Sequence, residues 1–286
     1  MRDILEITPA PPGHWVGDGF PVRSLFSHMS GDNGTTPFLM LDYAGPHEFA
    51  PSGHNRGIGA HPHKGFETVT IVYQGEVEHS DSTGQGGVIG PGDVQWMTAG
   101  SGILHKEFHS PAFSRRGGAF EMVQLWVNLP AKDKSAQPGY QAIRAADIPA
   151  LDLPGHAGHL RVIAGSHQGV QGPARSFTPM DVLDLALKAG ATTSLTPPEG
   201  HNAIIVTLSG AVVVNGAARL DGPASARLSR EGGEVVLSAE SDAKLLLLFG
   251  APIDEPIAAR GPFVMNTPEE IRQAMRDFGA GKFGRL

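Results

Sequence analysis

The chain has 286 residues, of which 40% are hydrophobic and 18% charged, a composition typical of a folded globular protein. Its net charge of -7, without any basic run, argues against direct binding of nucleic acid, and the lack of a long apolar segment argues against a membrane span or a signal peptide. No cysteine is present, which excludes disulfides, thiolate nucleophiles and cysteine-bound zinc, and we expect a cytoplasmic protein.

The first half of the chain is patterned as short β-strands separated by turns. After a region rich in glycine, proline and histidine, the segment FETVTIVYQGEVEHSD (66–81) predicts a β-branched strand, a Gln-Gly turn and a return strand. The segment EMVQLWVNLP (121–130) predicts another strand, which Pro130 closes. No stretch of residues 1–130 has the length and 3.6-residue period of a helix, so we predict an all-β half.

The second half repeats this style after a polar segment, residues 131–150, that reads as a connector. The segment HNAIIVTLSGAVVVNG (201–216) resembles residues 65–80, since each has a β-branched strand, a turn ending in glycine and a valine-rich return strand. No His-x-His precedes the second copy, and His201 is expected to be structural or solvated. We therefore predict two similar β-barrels in tandem, of which the second lacks metal ligands.

The end of the chain predicts one short helix. Thr267 is a suitable N-cap, and a proline and two glutamates follow it in the first turn. Ile271, Met275 and Phe278 are expected to form an apolar face that packs on the outside of a barrel.

Four potential metal ligands occur as two pairs in the segment 61–107. His61 and His63 form one pair, and His105 and Glu107 form the other. Residues two apart on a strand point to the same side of the sheet, so two such pairs could surround one point with three imidazoles and a carboxylate. The pattern predicts a metal site on a β scaffold.

Strand parity alone leaves the carboxylate ligand open. Glu67 shares parity with His61 and His63 if no bulge intervenes, just as Glu107 shares parity with His105. His79 and His109 are expected to lie outside the site. Gln95 and Lys106 are expected on the opposite face of their strands, without a catalytic role.

Such a donor set suits Fe(II), Mn(II), Ni(II), Cu(II) or Zn(II), and ligand softness does not choose among them. An octahedral iron site would leave two positions open, which oxygenase chemistry needs because substrate and O₂ must both approach the metal.

Four segments of the chain closely resemble the pirins, which are two-domain members of the cupin superfamily. The segments are HPHKGFETVT, GPGDVQWMTAGSGILHKE, QLWVNLP and GPFVMNTPEEI. The resemblance implies two tandem cupin (double-stranded β-helix, or jelly-roll) barrels with a short C-terminal helix. It implies an N-terminal metal-binding domain at residues 1–135 and a degenerate C-terminal domain at residues 136–286.

The general cupin pattern would make the ligands His61, His63, Glu67 and His105, whereas the pirin pattern implies His61, His63, His105 and Glu107. The resemblance therefore favours Glu107 over Glu67 and implies Fe(II) as the metal, with Zn, Ni, Mn or Cu as alternatives.

For function, the resemblance implies a quercetin 2,3-dioxygenase-like enzyme that cleaves a flavonol with O₂ and releases carbon monoxide. Glu107 is then the candidate base for the flavonol 3-hydroxyl. The alternative is an iron-dependent redox-sensing regulator that acts through a protein partner without turnover. Either protein is expected to be a monomer that binds neither nucleic acid nor membrane.

Overall fold

The computed structural model describes residues 1–30 and 34–286, and β-strands dominate it. The strands up to residue 143 are β1 Ile4–Pro9, β2 His14–Val16, β3 Phe20–Ser27, β4 Phe38–Phe49, β5 Gly57–His63, β6 Phe66–Gln74, β7 Val77–Asp81, β8 Gly86–Ile89, β9 Val94–Thr98, β10 Ile103–His109, β11 Gly118–Asn128 and β12 Gly139–Ile143. The later strands are β13 Ala150–Asp152, β14 Gly158–Ala164, β15 Ser166–His167, β16 Val170–Gln171, β17 Met180–Leu187, β18 Thr192–Leu195, β19 Asn202–Ser209, β20 Ala211–Val214, β21 Ala218–Asp221, β22 Ala224–Leu228, β23 Val235–Ala239, β24 Ala243–Gly250, β25 Ala258–Arg260 and β26 Phe263–Met265. The α-helices are α1 Pro111–Arg116 and α2 Pro268–Gly279, and short 3₁₀ turns occupy His28–Ser30, Ala131–Asp133, Ala145–Asp147 and Pro154–His156.

The described chain divides into two compact units that are discontinuous in sequence. The site unit comprises Pro12–Arg23, Leu39–Ala145 and Ile253–Leu286, and the companion unit comprises Met1–Pro11, Ser24–Phe38 and Ala146–Pro252. These units differ from the consecutive halves 1–135 and 136–286 because the first strand, β1, pairs with β22 far along the chain. The domain boundary near residue 135 stays a prediction.

Both units are built from antiparallel sheets, as the frequent turns predict. A seven-stranded sheet with the order β12-β9-β6-β11-β4-β3-β2 and a four-stranded sheet with the order β5-β10-β7-β8 carry the site unit. The companion unit has a seven-stranded sheet, β1-β22-β19-β24-β17-β14-β13, and a four-stranded sheet, β18-β23-β20-β21. The run Leu245–Leu248 on β24 is buried throughout, as expected of a strand between two neighbours.

Two local features differ from the sequence expectation. The segment 131–150 is more than a connector, because β12 lies within it and pairs with β9. The first half also contains helix α1, which Ser110 caps by accepting a hydrogen bond from the backbone N–H of Phe113. At six residues it is too short to show a helical period in the sequence.

The C-terminal helix forms where it was predicted, although its buried face differs. Thr267 and Glu270 make a reciprocal capping box at its start. Ile271 and Ala274 are the buried residues, whereas Met275 and Phe278 are 41% and 42% exposed, so the predicted buried face was wrong at both. Phe278 still contacts the rings of Phe263 and Phe283. The helix packs with Phe263 and other apolar residues of the short β25–β26 hairpin region. No described helix is both long and apolar enough to cross a lipid bilayer.

Candidate metal centre

Strand β10 presents His105 and Glu107 on one buried face. Its side chains alternate strictly between buried and half-buried, and the buried positions are Ile103, His105, Glu107 and His109. This alternation follows from the two-residue period of a strand. The i, i+2 spacing on β10 therefore places the two side chains as predicted.

The neighbouring strands bring further histidines to that face. His105 lies opposite His61 on β5 and opposite Asp81 on β7, while Glu107 lies opposite His79 on β7. The pairing with β5 shifts register between His105 and Glu107, which marks a bulge in this ladder. His61 and His63 thus meet His105, while Glu107 lies beyond the bulge.

Three imidazoles converge in this sheet. The ring centroids of His61 and His105 are 4.2 Å apart, those of His63 and His105 are 4.8 Å apart, and those of His61 and His63 are 4.9 Å apart. One potential ligand atom from each lies within 4.8 Å of those of the other two. Glu107 belongs to an overlapping group, with His79 and His105, that meets the same criterion. This His/Glu cluster could hold a metal ion.

The hydrogen bonds of the rings fit metal coordination. His61 donates from Nδ1 to the Gly59 carbonyl at 2.8 Å, and His63 bonds the backbone of Pro262. His105 Nδ1 lies 3.4 Å from His79 Nδ1. The buried Nδ1 of His63 and Nε2 of His105 have no hydrogen-bond partner. Metal-binding histidines are held in this way, with one nitrogen bonded to the protein and the other turned to the metal.

The environment also favours the protonation state that binds metals. Burial and the neighbouring His61 lower the pKa of His63 well below its usual value. Burial and the neighbouring histidines lower the pKa of His105 in the same direction. Both rings are therefore neutral at pH 7 and can offer a lone pair.

Glu107 is oriented by a residue for which the sequence predicted no role. Gln95 is fully buried and its Nε2 donates to Glu107 Oε1 at 2.5 Å, so the expectation that Gln95 lies on the opposite face was wrong. Strand β9, which carries Gln95, belongs to the other sheet of the site unit, so parity along β9 did not reveal this contact. Among the described residues, all hydrogen bonds of the Glu107 side chain end on Oε1. Lys106 lies outside the cluster, as predicted.

Glu67 is separated from the cluster by a break in the strand. Gly65 has φ of 87° between β5 and β6, and a Cβ there would lie 2.0 Å from the Val264 carbonyl oxygen. Parity from His63 therefore does not carry through to Glu67. Glu67 is buried and accepts a hydrogen bond from Thr98 Oγ1 at 2.7 Å.

Two other histidines have distinct surroundings. His109 is buried among aromatic rings, including those of Phe49 and Phe120, and bonds the Gly19 carbonyl. His109 is in neither candidate ligand group, which agrees with its expected position outside the site. His79, by contrast, touches the cluster directly at His105, which the sequence did not predict. His201 belongs to neither candidate ligand group.

A largely apolar cavity of about 280 Å³ opens onto the cluster. His61, His63 and Glu107 contribute to its wall. The rest of the lining is Val16, Phe20, Val22, Met40, Asp42, Ile58, Met122, Gln124, Trp126 and Pro262. An apolar cavity with a few convergent polar groups is the usual form of a small-molecule site.

Comparison with known families agrees with this architecture. The Pirin model matches residues 19–127, and the model for the Pirin C-terminal cupin domain matches residues 182–284. The chain belongs to the pirin family. The predicted fold of two cupin-type domains with one short C-terminal helix is confirmed.

Several relatives of this pirin carry the name of an enzyme. The crystal structure of quercetin 2,3-dioxygenase from Acinetobacter baumannii is 55% identical and matches with a TM-score of 0.97, covering 99% of each chain. A Pseudomonas aeruginosa protein, provisionally named a quercetin 2,3-dioxygenase, is 54% identical over 285 residues, which span 100% of this chain and 99% of its own. A bacterial pirin from Escherichia coli, solved in complex with nickel(II), is 22% identical with a TM-score of 0.67, covers 87% of this chain and 99% of its own, and shows the fold alone.

Proposed function

We propose that this pirin is a mononuclear iron-dependent dioxygenase that cleaves a flavonol with O₂ and releases carbon monoxide. The observation that carries the proposal is the meeting of three imidazoles and a carboxylate beside an apolar cavity. Similarity over the full chain to proteins named quercetin 2,3-dioxygenase supports the substrate class.

His61, His63, His105 and Glu107 are the proposed ligands. Bound iron would supply electron transfer between the flavonol and O₂ and would favour the anion of the flavonol 3-hydroxyl. Zinc, nickel, manganese or copper could occupy the same donors, because imidazole and carboxylate groups do not discriminate strongly among these ions. We propose iron because of the resemblance to pirins.

Glu107 is the proposed base for the flavonol 3-hydroxyl. The Gln95 amide holds Glu107 Oε1, so Oε2 is the oxygen that would bind the metal with one lone pair and accept the proton with the other. Glu107 is only 7% exposed, which excludes most water from competing for that position. Gln95 is held in turn, because its Nε2 also donates to Thr70 Oγ1 at 3.0 Å and Thr70 donates to Gln124 at 2.9 Å.

The cavity lining suits a flat, polyhydroxylated aromatic molecule. Phe20 and Trp126 provide aromatic rings against which such a molecule can pack. Asp42 and Gln124 provide polar atoms that can bind ring hydroxyls.

The test is turnover of quercetin by protein loaded with Fe(II) in the absence of air and then exposed to O₂. We expect equal amounts of O₂ consumed and carbon monoxide released. Glu107→Gln should lower the rate by about 10²–10⁴-fold, the usual contribution of a positioned base. Lys106→Ala, a change at the neighbouring position of the same strand but outside the cluster, should keep full activity.

Fully iron-loaded protein that turned over none of several flavonols would overturn the proposal. The regulatory hypothesis would then stand, and it predicts a protein partner whose affinity differs between the Fe(II) and Fe(III) forms.

A further inference from the structure

Beneath the three-histidine cluster lies a buried chain of hydrogen bonds, Asp81–His79–His105. Asp81 Oδ2 is 3.1 Å from His79 Nε2, and His79 Nδ1 is 3.4 Å from His105 Nδ1. The side chains of Asp81 and His79 are wholly excluded from solvent. The chain ends at His105 Nε2, a buried nitrogen without a hydrogen-bond partner.

Asp81 is fixed as an acceptor at the start of this chain. Its other oxygen, Oδ1, accepts from the backbone N–H of Thr83 at 2.8 Å, from the Thr83 hydroxyl at 2.6 Å and from the backbone N–H of Gln85 at 3.3 Å. Burial raises the pKa of Asp81, but the hydrogen bonds from His79 and Thr83 outweigh it and leave the pKa below its usual value. Asp81 is therefore a carboxylate that only accepts.

A carboxylate in this position determines the proton positions along the chain. His79 must carry a proton on Nε2 to donate to Asp81, and an imidazole with that single proton has a lone pair at Nδ1. His105 can then bond His79 only by donating from its own Nδ1. The proton of neutral His105 is thereby placed on Nδ1, and its Nε2 is left as the lone pair.

We propose that Asp81 and His79 are positioning residues that lock His105 in the Nδ1–H tautomer, with its Nε2 lone pair turned toward His61 and His63. This inference rests on the proposed metal site, although not on the proposed dioxygenase reaction.

The His79 ring is itself held in place by an aromatic neighbour. Tyr140, on β12, stacks on His79 with ring centroids 4.8 Å apart and an interplanar angle of 8°. The Tyr140 hydroxyl also lies 3.5 Å from Gln95 Oε1, the amide whose Nε2 holds Glu107. Tyr140 thus contacts both of the side chains that orient the candidate ligands His105 and Glu107.

The decisive variant is Asp81→Asn. The amide oxygen of the new side chain must face Thr83 and Gln85, because three donors converge there, so its NH₂ group faces His79. His79 then has to accept at Nε2 and donate from Nδ1, which forces His105 to accept at Nδ1 and to carry its proton on Nε2. One conservative substitution therefore inverts every proton position in the chain.

The first measurement is made on the metal-free protein by NMR of ¹⁵N-labelled histidine, which distinguishes the two tautomers of each ring. We expect the Nδ1–H form for His105 in the natural protein and the Nε2–H form in Asp81→Asn. The Nε2–H form of His105 in the natural protein would overturn the inference, as would the same tautomer in both proteins.

The second measurement is affinity for Co(II) by competition with a chelator. His79→Phe keeps the ring that Tyr140 stacks on but removes both nitrogens, and it should weaken binding by about 10–100-fold, as loss of a partner to a metal-bound histidine usually does. Asp81→Asn should fall in the same range. Ser80→Ala, at the intervening position on the other face of β7, should bind like the natural protein.

Failure of this inference is distinguishable from failure of the proposed function. Unchanged Co(II) affinity in both His79→Phe and Asp81→Asn would overturn the positioning role while leaving the metal site intact. If the natural protein bound no divalent metal, the proposed metal centre would be wrong. The NMR measurement would still decide whether Asp81 and His79 fix the tautomer of His105.

Discussion

Lys134 is a buried ammonium group surrounded by hydrogen-bond acceptors. Its Nζ donates to the carbonyls of Gly65 and Val264, at 2.8 and 2.9 Å, and to Asn128 Oδ1 at 2.8 Å. These three bonds join the turn after β5, the end of β11 and strand β26. Because all three acceptors are neutral, they compensate only in part for the loss of water around the charge.

This burial predicts a pH dependence of stability. Burial lowers the pKa of Lys134 from its usual 10.5 to about 8. Between these values the unfolded chain binds a proton that the folded chain has already released, so stability rises with pH across the interval, by at most about 3 kcal/mol. In Lys134→Met this contribution is absent. We expect the free energy of unfolding in urea to rise more between about pH 7.5 and about pH 10 in the natural protein than in Lys134→Met. Parallel pH profiles of the two proteins would contradict the prediction.

At the scale of single residues, the sequence predicted the members of the cluster better than the residues that orient them. The spacing of His61, His63, His105 and Glu107 follows from the two-residue period of a strand, which is local information. Gln95, His79 and Tyr140 reach the cluster from other strands, so their contacts depend on register and on how the two sheets of the site unit face each other. Neither is encoded in local spacing.

The C-terminal helix α2 packs close to the candidate metal centre. Ile271 and Ala274 share a cluster with Phe263 and with Leu104, the neighbour of His105 on β10. The Ser82 hydroxyl donates to the Phe283 carbonyl at 2.6 Å and accepts from the Leu104 backbone N–H at 3.0 Å. The helix and the tail behind it thus support the strand that carries His105.

Removal of the helix cap should loosen this element. Thr267→Ala deletes the side-chain acceptor of the capping box, which costs about 1 kcal/mol. If α2 opens locally, its backbone amides should exchange hydrogen about fivefold faster, the equivalent of that energy. Hydrogen–deuterium exchange resolved to the helix measures this. Met275→Gln, on the exposed face of α2, should leave exchange unchanged, and equal exchange in Thr267→Ala would show that packing alone fixes the helix.

Among the elements, those with local signals were predicted and those fixed by distant pairing were not. The cap of α2 and the β-branched run of β6 carry their signals within a few residues. Strand β12 was missed because its segment GYQAI is short, lies within a largely polar stretch, and gains its strand conformation by pairing with β9. Strand β1 pairs with β22, more than two hundred residues further on, and no local pattern indicates such a partner.

For the whole molecule, the family fold was predictable because motifs from both halves identify it. The division of the described chain into compact units was less accessible, since residues 1–11 join the companion unit while residues 253–286 join the site unit. Each end of the chain belongs to the unit that is mostly formed by residues distant in sequence, and such packing depends on long-range contacts that no local pattern encodes. Both candidate ligand groups found among the described residues lie in the site unit, so an ion bound to either group would be held by residues of that unit.

A metal that binds the folded chain alone should raise its stability by mass action. Three imidazoles and a carboxylate exist as a preformed set only in the folded state, so the gain is about 2.7 kcal/mol when free metal is one hundred times its dissociation constant. Chelation should therefore lower the thermal midpoint of the metal-loaded protein, and re-addition of Fe(II) without air should restore it. His61→Ala removes one proposed ligand from a half-buried position, so its apo form should melt close to the natural apo protein and respond far less to metal. A metal-dependent shift of the same size in His61→Ala would show that the ion binds elsewhere. A shift that is present in the natural protein and lost in His61→Ala would show that metal binding at this cluster stabilises the site unit.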